Sequence, residues 1–174
     1  MSKPAPSPAL PIAHAVLRIL IVLNWLYGLV IIALLVVIPN RQWILSAFHL
    51  SPSPDSDRLI FGLRAIAVIG LASIPLNYIF LKRLLAIVET VRAGNPFVAA
   101  NATRLREIAW VLLALQMLSL TVGAIEKAVS TPAHPLHLNA GFSIPGWLAV
   151  LLTFLLARVF DEGTAMREEI EGTV

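Results

Sequence analysis

With 174 residues, 58% of them hydrophobic and only 13% charged, and a mean hydropathy of +0.84, the chain departs from soluble domains, in which about a quarter of residues are charged. The absence of cysteine excludes disulfides, thiolate zinc sites, iron–sulfur clusters and cysteine nucleophiles. The net charge of +3 and pI near 9.8 come from basic residues beside apolar runs, where they act as an orientation signal and not as a nucleic-acid footprint.

The apolar residues fall in four separated runs instead of the short alternating segments of a barrel, so the predicted fold is all-α, a four-helix transmembrane bundle. Residues 1–13 hold four prolines and one charge and are predicted as a disordered, extended tail; residues 14–174 form a single membrane domain. The first span is placed at about 15–38. Its charge-free stretch from Ile19 to Ile38 is twenty residues long, enough to cross roughly 30 Å of hydrocarbon. No cleavage pattern follows it, so the helix is expected to be retained.

An outside loop, 39–58, leads to the second span at about 59–81, which carries Arg64, Gly70, Ser73, a predicted kink at Pro75, and Asn77. Between this span and the third lies KRLLAIVETVRAGNPFVAANATRLREIAW, residues 82–110, the one long basic polar segment. Leu84, Leu85, Val88 and Val91 keep helical spacing, and Gly94 stands where a helix C-terminus needs a left-handed residue. Asn95 and Pro96 are expected to cap a short second helix, which makes the segment a helical hairpin. The third span, about 107–128, carries Gln116, Ser119 and Gly123 at helical spacing, a pattern expected at a helix–helix seam. A proline-rich outside loop follows, and the fourth span is placed at about 142–160, with Arg158 snorkelling to the interface. Beyond it a helical tail continues with Glu162, Glu168, Glu169 and Glu171, weakened by Gly163. With the termini on the cytoplasmic side, nine basic residues lie inside against four outside, so both termini, the hairpin and the tail are expected in the cytoplasm.

Three groups of residues invite a functional reading. His134 and His137, with His49, could approach a zinc or copper ion, but Pro135 breaks any helix that would present both rings. Solvated loop histidines are the expectation, and no metal or cofactor is assigned. Arg64, Asn77, Gln116 and Glu126 are polar groups within or at the ends of spans; an Arg64–Glu126 pair could close the bundle, and a small-molecule or ion site is the functional alternative. The third group is cytoplasmic. Arg92, Arg104 and Arg106 of the hairpin are expected to meet Glu168, Glu169 and Glu171 of the tail, each exposed pair contributing under about 1 kcal/mol. Paired catalytic carboxylates, a nucleophile elbow, a phosphate loop and HExxH are all missing from the sequence, so no enzyme is expected.

The segments GNPFVAANATRLREIAW and LARVFDEGTAMREEIEGTV resemble the signature of an uncharacterised family of four-span bacterial inner-membrane proteins, a domain of unknown function. The likeness is carried by Gly94, Asn95, Pro96, Phe97, Asn101, Arg104, Leu105 and Arg106, and by Arg158, Phe160, Glu162, Gly163, Arg167, Glu171 and Gly172. Asn95 stands where aspartate is common, and Glu107 where a basic residue is frequent. The resemblance implies a neighbouring gene for an Xre/Cro-type helix-turn-helix regulator, and hence a membrane partner that anchors or antagonises it. Arg92, Asn95, Phe97, Asn101, Arg104, Arg106, Glu168 and Glu171 are the expected docking residues. The expected partners are the lipid bilayer and that regulator, with a second copy of the chain as a further option and no direct nucleic acid.

Overall fold

The computed structural model describes residues 9–37, 46, 54–130, 136 and 138–171, with side chains described over 10–36, 46, 57–130, 136 and 138–166. Four long helices make up almost all of it: α1 Ala9–Val37, α2 Pro54–Arg92, α3 Ala99–Val129 and α4 Ile144–Glu171. All four are long and apolar enough to cross a membrane, and the described residues contain no strand. The all-α architecture predicted from the apolar runs is therefore the observed one.

The helices run antiparallel in chain order, α1 against α2, α2 against α3 and α3 against α4. Each seam is pinned at both ends. His14 meets Glu89 at one end of the first seam and Ile31 meets Gly70 near the other. Thr90 and Asn101, then Gly62 and Val129, mark the two ends of the second. The ends of α1 and α4 therefore share one side with the turn between α2 and α3, which we call the hairpin end.

Burial is inverted relative to a water-soluble bundle. Ala102, Ile108, Ala109 and Ala157 are buried along the seams, while Val22, Leu29, Val36, Leu151 and Leu155 are each more than half exposed. Water would not tolerate so much contiguous apolar surface; hydrocarbon does, and it leaves small side chains and polar contacts to hold helix to helix.

Most helices run past the span boundaries read from the sequence. The span predicted at about 15–38 belongs to a helix that already starts at Ala9, inside the predicted tail. Pro11 is compatible because it falls in the first turn, whose N–H groups have no intrahelical acceptor. The predicted spans at 59–81 and 107–128 are likewise the apolar middles of longer helices, while the span predicted at 142–160 belongs to a helix that starts two residues later, at Ile144, and runs on to Glu171. At 39 residues, α2 is about 58 Å long, nearly twice the roughly 30 Å hydrocarbon thickness. The hairpin has no separate short helix: its two arms are uninterrupted continuations of α2 and α3. Gly163 does not break α4 either, since one helical glycine costs only about 1 kcal/mol and Phe97 lies over it. At Pro75 the helix continues, and Asn24 of α1 donates to the neighbouring Ile74 carbonyl at 3.1 Å.

Candidate functional site at the hairpin end

The turn joining α2 to α3 is built from the backbone outward. Gly94 takes φ +82°, its N–H bonds the Val91 carbonyl at 3.1 Å, and the Asn95 N–H reaches back to Thr90 O at 3.1 Å. This is a Schellman closure, and it stops α2 where the glycine predicts. Asn95 does not cap the next helix. Residues 95–98 run without helix and α3 begins at Ala99, four residues on, with Val98 at the cap position making no side-chain bond.

The turn is tied instead by Asn101, in the first turn of α3, which is fully buried. Its amide nitrogen donates to Thr90 Oγ1 at 2.7 Å and to the Pro96 carbonyl at 2.8 Å. Its Oδ1 accepts from Arg104 Nη1 at 2.8 Å, and the same Nη1 donates to the Ala86 carbonyl at 3.2 Å. The Thr90 hydroxyl passes its single proton to Ile87 O at 2.7 Å, so it acts toward Asn101 as an acceptor. Both amide N–H donors and the amide oxygen are then engaged in one consistent orientation. Arg104 and Asn101, expected as docking residues, thus lock the arms of the hairpin together.

Charges bind neighbouring helices at the same end. Arg83 of α2 pairs with Glu107 of α3, and Arg106 of α3 pairs with Asp161 of α4. Arg158 pairs with Glu162 one turn along α4 at 2.7 Å. Of the hairpin arginines expected to meet the tail glutamates, Arg106 pairs with Asp161 and Arg104 bonds Asn101 and the Ala86 carbonyl. Glu168, Glu169 and Glu171 lie beyond the described side chains. The sequence reading missed Thr90, Arg83, Glu107 and Asp161. A usable signal existed, because Arg83 and Glu107 are equidistant from Asn95 and residues equidistant from a hairpin turn face one another.

What remains on the surface is compact. Arg92 and Asn95 are exposed, and Phe97 is 46% exposed. The Phe97 ring stacks obliquely on Phe160 with centroids 5.3 Å apart and lines an open apolar groove of about 320 Å³ with Val159, Gly163 and Met166.

Two of the four polar span residues bond the segment before α4. Arg64 is exposed near the level of Glu126, which the Gly62–Val129 contact sets. Glu126 Oε1 accepts the Leu138 N–H at 2.9 Å, and Gln116 donates to Ser143 O at 3.3 Å. Asn77 is half-buried on α2. None of them lines the groove at Phe97 or the apolar groove between α1 and α2. His49, His134 and His137 lie outside the described residues.

Four membrane-length helices, three seams held by small residues and polar contacts, and an ordered charged hairpin define a multi-pass helical membrane protein. The chain belongs to the family described as Protein of unknown function (DUF2975), whose model matches residues 39–174, a stretch that takes in α2, α3 and α4. No curated protein and no solved structure matches it.

Proposed function

We propose that this protein is a non-enzymatic membrane partner of a cytoplasmic helix-turn-helix regulator, which docks at the hairpin end. The observation that carries this reading is the half-exposed Phe97 beside an open apolar groove, with Arg92 and Asn95 exposed next to it. An aromatic anchor beside a pocket, rimmed by polar groups, is the usual anatomy of a docking surface. The lock beneath it keeps that surface rigid, and the eleven residues from Lys82 to Arg92 lift it about 16 Å beyond the last apolar residues of the second span. The nine-to-four bias of basic residues supports placing this end in the bacterial cytoplasm.

Orientation is tested by cysteine labelling. In intact cells, Thr131→Cys should react with an impermeant thiol reagent and Ala99→Cys should react only after permeabilisation; the reverse pattern would put the hairpin outside and end the proposal.

The partner is tested by co-purification of the wild-type chain with a helix-turn-helix protein encoded beside it. Phe97→Ala with Arg92→Ala should lower retention at least about tenfold, the scale of losing an interface anchor, while His134→Ala with His137→Ala should change nothing. Arg104 is unsuitable for this test because its removal would loosen the hairpin itself. If the wild type does not retain such a protein, the alternative of small-molecule or ion binding through Arg64, Asn77, Gln116 and Glu126 replaces this reading.

A further inference from the structure

A second groove, of about 330 Å³, opens sideways between the apolar stretches of α1 and α2. Trp25, Gly28, Leu29 and Ile32 of α1 and Leu71 and Pro75 of α2 line it, with almost no polar surface. Near the hairpin end the chemistry changes in one continuous series of contacts. The Trp25 ring that walls the groove meets Tyr78 with centroids 5.7 Å apart, and Lys82 Nζ lies 5.7 Å above the Tyr78 ring. Lys82 is two helical turns, about 10 Å, from Pro75. On α1, Arg18 stands two turns from Trp25 on the same side of the helix, and both cations are exposed. Glu89, two turns beyond Lys82, is engaged by His14 at 3.5 Å.

We propose that this groove is a binding site for one anionic phospholipid, with an acyl chain in the apolar channel and the phosphate headgroup at Lys82 and Arg18. The channel has no polar lining to hold a water-soluble ligand, and it opens to the side where lipid chains lie. Tyrosine and tryptophan settle at the headgroup level, which places the two cations where a phosphate sits. Basic pockets between membrane helices recognise anionic headgroups by charge. The cations give a net positive mouth, so a headgroup with net negative charge is preferred over a zwitterionic one.

The full-length protein in mild detergent would be titrated with phosphatidylglycerol, phosphatidylcholine of identical oleoyl chains, and inorganic phosphate, with bound lipid counted by native mass spectrometry. Phosphatidylglycerol should be retained over phosphatidylcholine by at least about fivefold, the contribution of one interfacial cation. Lys82→Ala should reduce that preference by about fivefold, with Lys82→Arg restoring it. Leu29→Trp, which fills the channel from a position 62% exposed, should weaken both lipids alike, and unchanged melting temperatures would show that both variants fold. Equal retention of the two lipids, or a preference that Lys82→Ala leaves unreduced, would overturn the site. Binding of inorganic phosphate as tight as that of phosphatidylglycerol would overturn the role of the channel.

Discussion

Replacing Asn101 with leucine is expected to destabilise the protein by roughly 3 kcal/mol, since the buried Pro96 carbonyl, the Thr90 hydroxyl and one guanidinium N–H each lose a partner and a stranded buried polar group costs about 1–3 kcal/mol. The side chain is fully enclosed, so water cannot take over its bonds. Thr90→Ala removes the acceptor of one Asn101 N–H and a donor to the Ile87 carbonyl and should cost about 1 kcal/mol. Because Thr90, Asn101 and Arg104 form one chain of contacts, the double variant Thr90→Ala, Asn101→Leu should lose less than the sum of the single losses, by at least about 0.5 kcal/mol. Unfolding in detergent, followed for the two single variants and the double, measures that coupling. Strict additivity would show that the three residues do not act as a unit.

The same residues show where the sequence was and was not readable. The turn was legible, because a positive φ at Gly94 is a backbone demand that the residue type announces. The role of Asn101 was not, because outside the apolar spans a polar residue on a helix reads as solvated. A better signal was present: Asn101, Leu105 and Ile108 fall on one face of α3, and all three are buried. A polar side chain in register with a buried apolar stripe is a candidate for an enclosed hydrogen-bonded group. The helix lengths were misjudged for a related reason. Hydropathy marks where the apolar stretch ends, whereas α2 runs eleven residues past Leu81 to Arg92 because nothing before Gly94 breaks it. The Phe97–Phe160 contact and the Arg106–Asp161 pair join the hairpin turn and α3 to α4 across more than fifty positions, a distance over which spacing alone carries no information.

Gly123→Leu is the second substitution with a large expected effect, and it concerns the opposite end of α3. Gln116, Ser119 and Gly123 were readable as a seam, but the partner is chiefly the irregular segment before α4 and not a helix face. Ser119 Oγ bonds both the N–H and the carbonyl of Gly141 at 3.2 Å, Gln116 bonds the Ser143 carbonyl, and Ser143 Oγ in turn accepts the Gly146 N–H at 3.2 Å as the cap of α4. This segment carries Asn139 at φ +50° and Gly141 at φ +123°, so its path is fixed by backbone conformations that tolerate little displacement. A Cβ at position 123 would lie 2.6 Å from Gly141 Cα and 2.8 Å from the Ala140 carbonyl. Both are backbone atoms, so no side-chain rotation relieves the clash. At Gly70 the corresponding atom meets only the tip of Ile31 at 3.2 Å, which can move. Gly123→Leu should therefore cost at least about 2–3 kcal/mol, the upper range of overpacking, and lower the melting temperature by roughly 5–10 °C, whereas Gly70→Ala should shift it by less than about 3 °C. Comparable melting temperatures for the two variants would mean that the segment before α4 yields freely, and that the Ser119 and Gln116 contacts do not fix how the fourth helix enters the membrane.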